Sequence, residues 1–183
     1  MKYIKNNYFI LTGAMGGGKS TIIKEIRKKN YLCIDEPARQ IIEEQRSIDG
    51  EGIYDRNPEL FIQLMLSRSI SNYKSNLDYN GLVFFDRGIP DMIAYSELSK
   101  NNKKVCVNAS NVYQYNKNVF MLSGWKEIYV TDDERKMEFA SAEKFGVRVS
   151  DIYKGLGYNI VNVPFGTLEK RVEFIVNSVD TFN

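Results

Sequence analysis

Hydrophobic and polar positions along the chain follow two alternating rhythms. Short apolar runs bounded by turn formers or charges are followed by longer stretches in which apolar residues recur every three or four positions. The short runs at 8–13 (YFILTG), 31–35 (YLCID), 82–86 (LVFFD), 127–130 (EIYV) and 159–163 (NIVNV) read as strands. Between them, Pro37 opens the helical stretch PARQIIEEQR, where its missing N–H costs nothing. The stretch 58–77 places Ile62, Leu66, Ile70, Tyr73 and Leu77 on one face, widened by Phe61 and Met65, the pattern of a core helix rather than a partner-binding one. A last helix over 168–179 repeats Leu168, Val172, Ile175 and Val179 and closes the sheet. Strands alternating with helices predict an α/β fold with a five-stranded parallel sheet flanked by helices. Two segments depart from this scaffold. Residues 47–58 carry turn chemistry without periodicity, and 131–158 are charged and helix-prone.

The seam between the first strand and the following helix is Gly13-Ala14-Met15-Gly16-Gly17-Gly18-Lys19-Ser20-Thr21, which satisfies G-x-x-x-x-G-K-S/T. Glycines let the backbone turn its N–H groups into one concavity that side chains would obstruct. Lys19 then reaches the outer phosphates of a nucleotide, and the Ser20 hydroxyl binds the Mg²⁺ that bridges them, with Thr21 entering the helix behind it. The helix dipole adds to the attraction. The stretch from Gly13 to Thr21 is therefore the expected ATP site, with Mg²⁺ as its ion.

Composition narrows the reading further. A chain of 183 residues, 43% of them hydrophobic, fits one domain. A net charge of +2 from 25 basic and 23 acidic residues gives no bulk attraction to nucleic acid or membrane. No run of 18 apolar residues occurs, and the first apolar run is too short for a secretory signal, so the expected location is cytoplasmic. Cys33 and Cys106 stand alone, which excludes a disulfide framework. The sequence holds no histidine, so proton transfer rests on Asp, Glu, Lys or Tyr.

In open parallel sheets, ligands lie at the carboxyl ends of the strands. The second strand ends Asp35-Glu36 and the third ends Asp86-Arg87. Asp86 stands where a P-loop protein keeps a Mg²⁺-holding carboxylate. Arg87 follows it, in place of the glutamate that orients hydrolytic water in motor ATPases, and its planar fork suits a phosphate. Glu36 is the candidate acceptor of a substrate hydroxyl proton, because strand alternation sends only one of Asp35 and Glu36 into the cleft. Arg39, one turn further on, is a candidate contact to an anionic substrate or a partner of Glu36. In the charged segment 131–158, Arg135 and Lys136, with Lys144 and Arg148 further along, are placed to bring cations over the phosphates. Arg135 is the leading candidate.

The blocks GAMGGGKST, DEPARQII, FFDRGIPDMIAY and DDERKMEFASAEKF…YKGLGYNIVNVPF together resemble the small bacterial family of AAA-type predicted ATPases related to the nicotinamide riboside kinase domain. DEP and DRG are more distantly similar to motifs of deoxynucleoside and thymidylate kinases. The resemblance covers nearly the whole chain and implies the nucleoside- and nucleotide-kinase P-loop fold with a helical lid, here 131–158. It also implies an acceptor contact for Glu36 and a phosphate contact for Arg87. Gly88 after Arg87 departs from the kinase motifs, and the sequence lacks the Asp-Glu pair of a motor ATPase. The leading reading is an ATP-dependent phosphotransferase acting on a small nucleoside- or nucleotide-like acceptor, with catalytic candidates Lys19, Glu36, Arg87 and Arg135. The alternative is a nucleotide-binding switch or slow NTPase that acts through a protein partner.

Overall fold

The computed structural model describes residues 1–129 and 138–182. Its strands are β1 (Tyr3–Ile4), β2 (Tyr8–Gly13), β3 (Leu32–Ile34), β4 (Val83–Asp86), β5 (Tyr113–Gln114), β6 (Asn118–Leu122) and β7 (Asn159–Asn162). The helices are α1 (Lys19–Lys28), α2 (Ala38–Ser47), α3 (Pro58–Lys74), α4 (Asp91–Leu98), α5 (Lys104–Val112), α6 (Phe139–Gly155) and α7 (Leu168–Phe182). Five strands form one parallel sheet in the order β3-β4-β2-β6-β7, and β1 pairs with β5 as a separate two-stranded ribbon. β2 lies at the centre, with Ile10 opposite both Phe85 and Val119.

The central strand is apolar on both faces because each face meets a different core. Phe9 and Leu11 pack with Ile22, Ile23 and Ile26 of α1 and with Val172, Ile175 and Val179 of α7. Tyr8 and Ile10 point the other way, into the larger core built from α2 to α6. Each fully buried aliphatic or aromatic side chain contributes about 1.5–3 kcal/mol to this arrangement. α3 starts where Asn57 accepts a hydrogen bond from the Leu60 N–H at 3.0 Å, with Pro58 in the first turn. Its stripe of Phe61, Ile62, Met65, Leu66 and Tyr73 is buried, as expected of a core helix.

Two expectations about elements need correction. The run at 127–130 is no strand over the residues described. Lys126–Ile128 forms a single 3₁₀ turn, and Ile128 is exposed. The fifth strand is instead β6, whose Val119-Phe120-Met121-Leu122 side chains are all buried between β2 and β7. The β-branched IYV run gave the stronger local signal, but the neighbours that turn a short apolar run into a strand are remote in sequence. Of the expected lid at 131–158, residues 131–137 lie outside the described ones. The part from Phe139 onward is α6, which buries Ala142, Phe145, Gly146, Val149, Ile152 and Tyr153 against the sheet. That length of the segment belongs to the scaffold.

Candidate active site

β2 runs straight into the glycine loop. Gly13 has φ +123°, and a Cβ there would sit 2.2 Å from the Leu122 carbonyl oxygen of the neighbouring strand, so no side chain fits. Gly18, at φ +84°, ends the loop and α1 begins at Lys19. The Lys19 ammonium is buried and donates to the Ala14 carbonyl at 2.6 Å. Burial, with the Arg87 charge adding to it, lowers the Lys19 pKa to about 7 against the pull of Asp86, Glu36 and Asp91.

The next group comes from β4 and the turn after it. Arg87 is a non-glycine residue at φ +65°, a conformation that needs support from its surroundings. That support is Asp91, fully buried on α4, which accepts from Arg87 Nη1 at 3.0 Å, the Gly88 N–H at 2.9 Å and the Tyr153 hydroxyl at 2.6 Å, and also from the Thr12 hydroxyl. Arg87 Nη1 also donates to the Gly13 carbonyl at 3.0 Å, tying β4 to the glycine loop. The guanidinium lies 5.6 Å from the ring centres of both Tyr95 and Phe145. Burial opposes its charge, yet Tyr95, Glu36, Asp91 and Asp86 outweigh that and raise its pKa further.

Glu36 enters this group from the end of β3. Its Oε1 lies 3.0 Å from Arg87 Nε and accepts from the Tyr95 hydroxyl at 3.0 Å. Asp35 turns to solvent instead, where it pairs with Arg27 at 2.8 Å. Just beyond the end of β3, the two acids point apart as the sequence predicts.

Asp86 is the other carboxylate of the group. It is buried, and its Oδ1 has no hydrogen-bond partner. Burial, then the nearby Glu36 charge, raises its pKa to about 6, while Lys19 and Arg87 act in the opposite sense. An orphaned buried carboxylate oxygen is costly unless a cation or donor meets it. No cluster of three or more Asp, Glu, Cys or His side chains able to hold a metal occurs among the described residues. One carboxylate and one hydroxyl, Asp86 and Ser20, on the same cleft fit Mg²⁺, which keeps most of its shell for water and phosphate oxygens.

Lys19, Ser20, Glu36, Asp86, Arg87 and Tyr95 open into one cleft of about 1170 Å³, with Asp91 buried behind them. On the side of β3 and β4 its wall is apolar, formed by Ile42, Tyr54, Phe61 and Met65 of α2, α3 and their connection. On the side of β6 and β7 it is lined by Trp125, Ile128 and Arg171. Met15, Gly16, Gly18, Thr21 and Arg39 line it as well, while Ala14 and Gly17 lie behind the glycine loop's surface. Arg135 and Lys136 fall outside the described residues. Arg148 does not face the phosphates: its guanidinium pairs with Glu97 at 2.6 Å. Tyr95, Trp125 and Arg171 sit within ordinary helical or loop patterns in the sequence, and only the packing brings them to the cleft, as it brings Asp91 behind Arg87.

The glycine loop, the acids at two strand ends and the sheet order converge with a match between residues 8–171 and a family of AAA domains. The chain belongs to this AAA domain family. No curated protein matches the sequence. Among solved structures, the AAA domain is similar in fold to the NadR protein in complex with NR, with TM-score 0.66 and 16% identity over 96% of this chain and 51% of that one. It therefore spans about half the length of NadR. Deoxyadenosine kinase from M. mycoides, solved with dCMP and dCDP, matches with TM-score 0.67 and 19% identity over 95% of this chain and 99% of that one. Thymidylate kinase from Candida albicans matches with TM-score 0.63 and 17% identity over 97% and 92%. The AAA domain thus has the P-loop fold of nucleoside and nucleotide kinases. Its β4 ends in Asp86, followed by Arg87.

Proposed function

We propose that the protein transfers the γ-phosphoryl group of ATP to a hydroxyl of a small nucleoside- or nucleotide-like acceptor. The observation that carries this reading is the meeting of Glu36, from the end of β3, with Arg87, from the end of β4, beside the apolar half of the cleft. A hydrolase needs only a water at this point, whereas an apolar chamber of this size beyond a fixed carboxylate suits an organic acceptor. The kinase folds of the similar structures support the same class.

In this mechanism the glycine loop and Lys19 hold the triphosphate; Ser20 and Asp86 would hold Mg²⁺, which when bound would supply positive charge to offset that of the phosphates. Arg87 and Tyr95 fix the Glu36 carboxylate, which accepts the proton of the acceptor hydroxyl. The acceptor oxygen forms a bond to the γ-phosphorus as the bond to the β-bridging oxygen breaks, and ADP departs with that electron pair. Arg87 also stands close enough to the glycine loop, at the Gly13 carbonyl, to offset charge on the transferring group. Arg135, which lies outside the described residues, is the candidate for a contact to the transferring phosphoryl group.

Acceptor-stimulated ADP release across a panel of nucleosides, nucleotides and vitamin precursors identifies the substrate. Glu36→Gln then leaves MgATP affinity nearly intact and lowers turnover by about 10²–10⁴-fold. Wild-type turnover in this variant removes the catalytic role. Failure of every acceptor, with Glu36→Gln changing only the binding of a protein partner, favours the nucleotide switch.

A further inference from the structure

Arg171 is a buried cation without a counter-charge among the described residues. It lies in the first turns of α7, is 3% exposed, and no carboxylate pairs with it among the described residues. Nη2 donates to the Gly17 carbonyl at 3.0 Å, and the guanidinium lies 5.5 Å from the ring centre of Trp125, which in turn packs on Phe165. Nε is buried with no hydrogen-bond partner among the described residues. Burial pushes the Arg171 pKa below its ordinary value, but a guanidinium stays charged in proteins, so the desolvation is not relieved by losing a proton.

Such a group is expensive in an empty protein and cheap once an anion arrives. The carbonyl and the indole ring each meet the cation partly, and neither neutralises it. The guanidinium lies close against the loop: a Cβ on Gly18 would stand 3.0 Å from Arg171 Nη1. Arg171 also lines the cleft next to Gly16 and Gly18. The sheet order puts the α7 end of the cleft, after edge strand β7, on the opposite side of the glycine loop from Glu36 at the end of β3. An anion there is remote from the transferring phosphoryl group.

We infer that Arg171 is the counter-ion for the base-proximal phosphate of the bound nucleotide, held against the loop by Gly17 and Trp125. The inference rests on nucleotide binding in the glycine loop and is independent of which acceptor, if any, is phosphorylated. It makes the last helix of the fold part of the nucleotide site.

The test measures MgADP affinity by titration calorimetry and the unliganded melting temperature for wild type, Arg171→Met and Arg171→Lys. The expected result is MgADP binding weaker by about 10-fold or more in Arg171→Met, as for loss of a charge-assisted pair, and a smaller loss in Arg171→Lys, which keeps the charge without the fork. The unliganded Arg171→Met protein melts no lower than wild type, because an uncompensated charge has been removed from a buried position. A merely structural arginine gives the reverse pattern. Wild-type MgADP affinity in Arg171→Met overturns the inference, and so does a melting temperature lowered by more than about 4 °C, which corresponds to a substantial loss of scaffold stability. Failure of the wild type itself to bind MgADP overturns the nucleotide reading as a whole, and with it this one.

Discussion

Lys19 shows how one residue links burial to ligand binding. Its ammonium sits among Arg87, Asp86, Glu36 and Asp91 with little water, and burial brings its pKa to about 7. Below pH 7 folded and unfolded chains both hold the proton, so Lys19 adds no pH dependence there. Between about 7 and 10.5 the unfolded chain holds a proton that the folded one has released, so this group makes stability rise with pH across that window. Phosphates reverse the balance by favouring the charged amine. MgADP binding at pH 8 is therefore accompanied by uptake of about one proton, and affinity falls as pH rises above 7. Calorimetry in two buffers of different ionisation enthalpy measures the uptake. An absence of proton exchange shows that Lys19 already carries its charge in the free protein. Asp86, with its pKa raised to about 6, is ionised in both states at pH 8 and does not obscure the result.

At the scale of elements, the decisive contact is between α6 and the glycine loop. Gly146 lies in the middle of α6, and a Cβ there would come within 2.9 Å of the Ala14 backbone nitrogen and 3.0 Å of its Cα. Helix propensity alone favours alanine at this position by about 1 kcal/mol. The collision is with backbone, which cannot rotate away, and overpacking of this kind costs about 1–3 kcal/mol. Gly146→Ala is accordingly expected to lower the melting temperature rather than raise it, and to weaken MgADP binding by shifting Ala14 and the loop. Thermal melts with and without MgADP read both effects. A stabilised variant with unchanged affinity shows that α6 and the loop do not depend on this close approach. Asp91 plays the matching part on α4, since four donors converge on it and fix the left-handed turn at Arg87.

At the scale of the whole molecule, the sheet order sets what lies across from what. The glycine loop follows the central strand, Glu36 and Arg87 follow β3 and β4 on one side, and Trp125 and Arg171 follow β6 and β7 on the other. A nucleotide bound as proposed would touch groups anchored in both cores, so its binding is expected to tie the two faces of the sheet together. At about 100 times its dissociation constant, MgADP stabilises the folded state by about 2.7 kcal/mol, which for a chain of this size raises the melting temperature by roughly 5–10 °C. Lys19→Ala removes the shift, and chelation of Mg²⁺ reduces it. An unshifted melt in the wild type at saturating MgADP refutes the nucleotide assignment.

What the sequence determined by itself is local: the glycine loop, the strand ends carrying Glu36 and Asp86-Arg87, and the stripe of α3 all depend on neighbours a few residues apart. Asp35 and Glu36 follow directly after β3 and point apart, Asp35 to Arg27 and Glu36 to Tyr95, as the alternation of an extended chain predicts. Tertiary structure alone decided that Val119–Leu122, and not the run at 127–130, completes the sheet, since a short apolar run becomes a strand only when β2 and β7 lie beside it. It alone gave Arg87 its left-handed turn, held by an acid four residues on and by hydroxyls from Thr12 and Tyr153. Arg171 is the clearest case. Within α7 it reads as one more charge on an amphipathic helix, and it becomes a buried cation at the glycine loop only because α7 packs beside α1, bringing together residues 154 positions apart. Burial and charge compensation are properties of that packing, and no pattern confined to one helix encodes them.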